Sequence, residues 1–339
     1  MVTMRDVART AGVSVGTVSN FVNERGLVAE VTAARIQQAI DELGYSVDVT
    51  ARAFRKRRSY SIGLVVPTIA NPYFDEIARV VAHDLWENGL QTFLCDAASD
   101  AERERRHLEQ LVSRRVDGIL ISHSGDAEAL RHFVAPLTTP IVFFDRALPD
   151  FQSVDADNRL GGELAARHLA DLGHRRVGVL AGDSGQFNVR ERLEGFVSVF
   201  AKRDCHVEPR HILRGPQALE LGFRVGELMR DEPRPTAVFC TNDIVAVGAW
   251  RTLVELGHRI PDDVSLVGFD DIEMSRLTIP QLTTVAQDKV AIGRAATGLL
   301  LRLIRGEQRT LERISIPPSL VVRGSTTAPL VKEVAHAAS

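Results

Sequence analysis

Cysteine is scarce in this sequence: Cys95, Cys205 and Cys240 stand singly among 339 residues, an odd number with no paired spacing. That argues against a disulfide framework and a cysteine-based zinc site, and it points to a reducing compartment. Apolar runs are short. No stretch approaches the roughly 20 residues that a membrane span needs, and the opening MVTMRDVART has no apolar core of a secretory signal. These absences place the chain, as an expectation, in the cytoplasm. A glycine-rich phosphate loop is also missing. The tetrapeptide GDSG at 182–185 repeats text found around the nucleophile of one serine protease class. The glycine and proline that follow it there are absent here, and the surrounding pattern is that of a parallel sheet. The chain is therefore read as no enzyme, with no metal and no cofactor.

What is present is ordinary globular composition, 45% hydrophobic and 25% charged, enough for two or three domains with sizeable cores. Charge is unevenly spread. Residues 1–60 hold nine Lys/Arg against six Asp/Glu, a surplus of three, so on a chain of net charge −3 the remainder runs to −6. A basic head on an acidic body follows, with Arg55, Lys56, Arg57 and Arg58 as the densest basic run.

Within the head, Thr3 and Asp6 form a capping box ahead of Val7, Ala8 and Ala11, which predicts a helix of about two turns ending at Gly12. Ser14 and Thr17 open a second helix with Val18 and Val22 inward. Two short helices around Gly12 and Val13 make a helix-turn-helix. A third helix is predicted over Val31 to Leu43, with Ile36, Ile40 and Leu43 on one face and Gly44 as its stop. The second helix of such a unit enters the major groove. Its outward positions are Val15, Gly16 and Asn20, with no arginine or lysine. Asn20 can pair with adenine N6 and N7, Val15 can touch a thymine methyl, and Gly16 reads nothing. Thr3, Ser14, Thr17, Ser19 and Asn23 are suited to phosphates, which set register rather than sequence.

From Ser61 the text alternates near-continuous apolar runs with amphipathic helices. The strand candidates are 62–66, 92–95, 118–122, 141–145, 177–182, 237–240 and 264–270. Such runs predict parallel sheets covered on both faces. SRRVDGILI at 113–121 is echoed by HRRVGVLAG at 174–182, which suggests two similar halves. Two doubly wound lobes would leave a crevice at the carboxyl ends of their strands.

The succession DVARTAGVSVGTVSNFVN, IDELGYSVDVTARAFRKRRS, SIGLVVPTIANPYF, CTNDIVAVGA, VSLVGFDDIE and LTTVAQD resembles the lactose-repressor (LacI/GalR) family of bacterial transcription regulators, from Asp6 to about Arg323. The resemblance implies an α/β protein with an all-α helix-turn-helix headpiece and a two-lobed core like that of periplasmic sugar-binding proteins. Its parts would be a headpiece at 1–46, a hinge helix and linker at 47–60, and a tail at 331–339. One lobe would comprise 61–157 with 288–315, the other 158–287 with 316–330. Chain crossings near Asp157, Asp288 and Ser315 would serve as hinges. It further implies a homodimer on a pseudo-palindromic double-stranded DNA operator, controlled by a small effector.

In the family, the segment matching Asp48 to Arg58 folds on operator DNA, as suits a helix below the roughly 12–15 residues that hold alone in water. This carries DNA contact over to Thr50, Ala51, Arg52 and Arg55, and puts Phe54 where the family pushes an apolar wedge, usually leucine, into the minor groove. Val47 and Asp48 stand where proline and asparagine are common, and Asn20 where arginine is frequent. Indirect readout of a bendable operator centre would then supplement the thin direct readout. The tail is too short for the leucine heptads by which some members form tetramers.

For the effector, ANPYF matches the segment by which sugar-responsive members contact ligand, through Asn71, Tyr73 and Phe74. Asp145, Arg190, Asn242, Asp270 and Gln287 stand at strand ends or helix starts of both halves, and charged groups among them suit vicinal hydroxyls. The set favours a mono- or disaccharide, or a derivative, over a nucleobase. Arg192 is read as a structural partner of an acid, and Gln217 as a departure where some members place an aromatic. Residues 61–323 alone would also fit a sugar receptor without a DNA role, against which the basic head and the absent signal peptide argue.

Overall fold

The computed structural model describes residues 2–22, 28–45, 58–125, 127–146, 148, 150–183, 186–203, 205, 207–307 and 310–330. These fall into two compact units that meet in sequence at Ser59 and Tyr60. Asn23, Thr50, Ala51, Arg52, Phe54 and Arg55, and with them nearly all of the hinge segment, lie outside the described residues.

The first unit contains α1 (Met4–Ala11), α2 (Val15–Val22) and α3 (Glu30–Leu43). The Thr3 hydroxyl and amide both donate to the Asp6 carboxylate, at 2.6 and 3.0 Å, closing the box that starts α1. Gly12 ends it at φ +65°, a left-handed conformation that glycine adopts without steric cost, and its N–H reaches the carbonyls of Ala8 and Arg9. The Ser14 hydroxyl then accepts the Thr17 amide at 3.0 Å and starts α2. Val7, Val18 and Ile36 are fully buried where the three helices meet. Each such side chain contributes about 1.5–3 kcal/mol by leaving water.

The second unit is built on two six-stranded sheets. The first comprises β1 (Ser61–Val66), β2 (Gln91–Asp96), β3 (Gly118–Ile121), β4 (Ile141–Phe144), β5 (Gln152–Ala156) and β11 (Arg313–Ile316), in the spatial order β11-β5-β4-β3-β1-β2. Every pairing in it is parallel. The helices α4 (Pro72–Glu87), α5 (Ala101–Ser113), α6 (Ala127–Val134) and α12 (Lys289–Ile304) go with it. The second sheet comprises β6 (Val177–Ala181), β7 (Ile212–Arg214), β8 (Ala237–Cys240), β9 (Ser265–Asp270), β10 (Thr283–Ala286) and β12 (Ser319–Val321), in the order β12-β10-β9-β8-β6-β7. Only β12 among its described strands runs antiparallel to its neighbour. Its helices are α7 (Asn158–Asp171), α8 (Phe187–Ala201), α9 (Leu219–Phe223), α10 (Val225–Met229) and α11 (Asp243–Glu255).

Both sheets are doubly wound. Beside β1 and beside β6 the winding reverses, which opens a gap at the carboxyl ends of the strands. The chain passes between the sheets three times, at 156–158, 286–289 and 316–319.

Two sequence expectations change here. The echo between 113–121 and 174–182 matches β3 with β6, yet by spatial order β6 is the counterpart of β1 and β3 that of β8. It signals two halves through strands in unlike positions. Strands β5, β7, β10, β11 and β12 are not among the strands expected from sequence, and LTTVAQD contains β10. Thr283 and Thr284 are fully buried there, because the Thr284 hydroxyl is satisfied by Asp243 at 2.6 Å and the Thr283 amide by the Ser325 hydroxyl at 2.8 Å.

Candidate nucleic-acid interface and effector crevice

On the first unit, Val15, Gly16 and Asn20 are exposed on α2 while Val18, on the opposite side, is buried. Thr3 and Ser14 are exposed at the starts of α1 and α2, and Thr17 and Ser19 are half-buried. The Ser14 and Thr17 hydroxyls lie 2.8 Å apart, so the phosphate candidates are already organised by local capping. Helix α2 has no basic residue, which leaves Asn20 as the long polar side chain on that exposed face.

In the second unit, the gap between the sheets encloses a cavity of about 430 Å³, within the roughly 300–1,000 Å³ typical of small-molecule sites. From the first lobe, Asn71 caps α4 by accepting the Tyr73 amide at 3.1 Å, and Pro72 occupies the first helical position. That start aims Tyr73 and Phe74 into the gap, their rings edge to face with centroids 5.1 Å apart. Asp145 follows β4 with φ +63°. Its carboxylate accepts from the Ser122 hydroxyl at 3.3 Å and from the Asn188 amide of the other lobe at 3.4 Å. From the second lobe, Asp270 ends β9 with φ +110° and lies 3% exposed. Its carboxylate accepts from Gln287 at 2.7 Å and from Arg192 at 3.4 Å. Burial pushes the Asp270 carboxyl up to about 6, against the opposing pull of Arg192. Burial also raises the Tyr73 phenol, whose hydroxyl donates to Gln287 at 3.2 Å.

Five of the eight expected effector residues thus line one cavity: Asn71, Tyr73, Phe74, Asp145 and Asp270. Gln287 and Asn242 do not line it. Gln287 stands behind the wall, joining Tyr73 to Asp270. Asn242 caps α11 by accepting the Val245 amide at 2.7 Å and donates to Gln217 at 3.0 Å.

Arg190 must be corrected. It projects from the outer side of α8, half-exposed, near Glu194 at 3.9 Å and over the Phe187 ring. Arg192 occupies the expected place instead. Its guanidinium, 2% exposed, donates to Asn158 at 2.8 Å, to the Thr241 carbonyl at 2.6 Å and to Asp270, and lies over the Phe269 ring at 3.8 Å. Residues two apart on a helix differ by about 200° in direction, so only one of the pair can face inward. Two glycines decide which. A side chain on Gly162 would strike the Arg192 carbonyl, and one on Gly195 the Arg159 carbonyl, so α7 and α8 touch backbone to backbone and turn Arg192 into the gap.

Arg146, buried beside Asp145, also lines the cavity, and its Nη1 donates to the His123 carbonyl at 2.6 Å. It is not among the residues expected from sequence, where its adjacency to a strand-end aspartate could have shown it. Asn188 and Gln186 complete the second-lobe wall with Gln217, whose amide donates to Gln186 at 2.5 Å. The cavity therefore presents a ring edge, carboxylates from opposite lobes, two buried guanidiniums and several amides. It offers both donors and acceptors around an apolar patch, and no metal-binding cluster of His, Cys, Asp or Glu is found among the described residues.

Residues 3–48 match the family of bacterial regulatory proteins, lacI family, and residues 166–326 a periplasmic binding protein-like domain. A transcriptional repressor named PurR from Haemophilus influenzae (strain PittEE) is 36% identical over 331 residues, covering 96% of this chain and 98% of its own. The chain belongs to the LacI family. Among solved structures, the lac repressor dimer bound to operator and the anti-inducer ONPF superposes on this LacI-family chain with TM-score 0.87 at 30% identity, covering 96% of this chain and 99% of that one. A LacI family transcriptional regulator from Enterococcus faecium with bound ribose does so with TM-score 0.71 at 30% identity, covering 79% and 99%. The LacI-family relatives are transcriptional repressors rather than enzymes, and the headpiece is a DNA-binding helix-turn-helix. No helix among the described residues is long and apolar enough to cross a membrane.

Proposed function

We propose that this LacI-family regulator represses genes of sugar uptake or catabolism, binding a pseudo-palindromic operator as a homodimer under the control of a monosaccharide-sized effector in the interlobe cavity. The observation that carries the effector reading is the pairing of Asp145 and Asp270 from opposite lobes with Arg146 and Arg192 around the Tyr73–Phe74 edge. Carboxylates accept hydroxyl protons and guanidiniums donate to hydroxyl oxygens in charge-assisted bonds. The aromatic edge takes the C–H face of a sugar ring. A flat heterocycle would leave much of this polar lining unpaired, at about 1–3 kcal/mol per buried group. The ribose bound to the Enterococcus faecium relative is consistent with this chemistry.

On the DNA side, the dimer places two α2 helices about one helical turn apart. Asn20 reads adenine in each half-site, and Phe54 acts as the minor-groove wedge that the family resemblance assigns to its position. A thermal-shift panel tests the effector reading, with D-ribose, other pentoses, hexoses and cellobiose set against hypoxanthine and guanine. A pentose or hexose should raise the melting temperature, since a ligand of the native state stabilises it by mass action. Stabilisation by the nucleobases alone would overturn the sugar reading.

A further inference from the structure

Lys289 sits at the first position of α12, and its side chain is only 9% exposed. The helix dipole disfavours a cation there, by about 0.3–1 kcal/mol at exposed sites. A local rule broken at a buried position calls for a compensating contact. The contact is specific. The Lys289 ammonium donates to the carbonyl of Asp270 and to that of Asp271, both at 2.8 Å, and lies 3.4 Å from the Glu76 carboxylate on α4. Helix α12 packs with α4 against the first sheet, whereas Asp270 ends β9 of the second and Asp271 follows it. The ammonium therefore joins the lobes. It is anchored on one and grips the backbone of the other directly behind the residue whose carboxylate enters the cavity.

The gripped backbone is itself unusual. Asp270 and Asp271 are consecutive non-glycine residues with φ of +110° and +48°. Such conformations cost on the order of 1–3 kcal/mol each and persist only where the surroundings hold them. Asp271 is secured on its own lobe by Arg323, at 2.5 Å, and by Ser275, at 3.0 Å. The Asp270 carbonyl has Lys289 as the charged donor reaching it across the gap.

We propose that Lys289 is a positioning residue for effector binding: its ammonium, oriented by Glu76, holds the Asp270–Asp271 turn so that the Asp270 carboxylate points into the cavity and the two lobes share one arrangement. This rests on the sugar reading only for the identity of the guest. The positioning itself is a property of the protein without ligand. It differs from a role in packing, because Glu76 does not line the cavity and is linked to the second lobe's turn by Lys289, so its neutralisation should loosen both through that ammonium.

The test uses the full chain without ligand, spin-labelled at Ile69→Cys and Glu220→Cys on the two lips of the crevice, with Cys95 and Cys205 replaced by serine. Pulsed dipolar spectroscopy then reads the interlobe distance distribution. The parent should give one dominant, narrow distribution with a small population at longer distances. Lys289→Met should raise the population of longer distances at least about fivefold, and Glu76→Gln should shift it in the same direction by a smaller factor, because a ligand-free protein populates both arrangements. Lys289→Arg, which keeps charge and donors, should restore most of the parent distribution. Circular dichroism melting separates these effects from unfolding, and Glu76→Gln, at a partly exposed site, keeps the test valid if Lys289→Met fails to fold. Distributions for Glu76→Gln and any folded Lys289→Met that match the parent would overturn the proposal. A separate titration with D-ribose bears only on the sugar reading: its failure with intact lobe effects would remove the guest and leave the clasp.

Discussion

Two arginines on one turn of α8 show how a single position governs this site. Arg192 joins Asn158, Thr241 and Asp270 within the buried wall, whereas Arg190 lies on the surface. Arg192→Leu leaves the Asp270 carboxylate buried without its cation, a loss of about 3–5 kcal/mol in comparable buried pairs. Urea denaturation should show a reduction of that order, with sugar binding lost in calorimetry. Arg190→Ala should stay within about 0.5 kcal/mol of the parent, as surface changes usually do, and should leave sugar affinity within twofold. Asp270 adds a pH dependence. Its carboxyl, held at about 6 in the fold, binds a proton that the unfolded chain, near 3.9, releases. Stability linked to this group is therefore full below about pH 4 and is lost as pH rises to about 6, by about 3 kcal/mol at 1.36 kcal/mol per unit. Sugar affinity should run the opposite way, increasing from pH 5 to pH 7.5 as the carboxylate forms and can accept hydroxyl protons. Asp270→Asn should flatten the acid limb of the stability curve while weakening sugar binding at pH 7.5. A wild-type affinity that is level across this range would show that the carboxylate does not contact the guest.

At the level of elements, the contact between α7 and α8 does for the second lobe what capping does for the headpiece. Gly195→Ala would drive a methyl into the Arg159 carbonyl, and overpacking of this kind costs about 1–3 kcal/mol. The helices should separate, Arg192 should swing from the cavity, and both the urea midpoint and sugar affinity should fall. A drop in stability with unchanged sugar affinity would mean that Arg192 keeps its place without the close crossing. No periodic signal in the sequence announces such a crossing, because glycine in a helix pattern reads only as a mild penalty. Capping and turn chemistry, by contrast, are local, and so Thr3, Asp6, Gly12, Ser14 and Gly44 marked the headpiece helices from sequence. Strands buried on both faces, such as β1, β4, β8 and β9, were legible as continuous apolar runs. Strand β10 was not, because its threonines become tolerable only when Asp243 and Ser325 arrive from distant positions to satisfy them. The site divides in the same way. Strand-end aspartates could be read from sequence, whereas the choice of Arg192 over Arg190 depends on the rotation of α8 about its axis. That rotation is a tertiary quantity.

Under the proposed function the molecule as a whole converts occupancy of a small cavity into a change of operator affinity, and linkage constrains how. If the sugar alters the operator dissociation constant by a factor, operator DNA must alter the sugar dissociation constant by the same factor, typically five- to 150-fold. The sign, release or tightening, depends on which lobe arrangement favours the headpieces, and the reciprocity holds for either sign. Two titrations check it: operator binding with and without saturating sugar, at fixed salt because phosphate contacts make affinity salt-dependent, and sugar binding with and without saturating operator. The two ratios should agree. Asp270→Asn should bring both ratios toward one at sugar concentrations that saturate the parent, while operator affinity without sugar stays close to the parent's, since α2 and its capping residues are untouched. Ratios that disagree would point to a second ligand site or to a change in assembly between the two experiments. A variant that lost operator affinity together with sugar binding would show that Asp270 sets the resting balance of the lobes as well as holding the guest, which is the outcome that a strained turn gripped from the opposite lobe makes physically accessible.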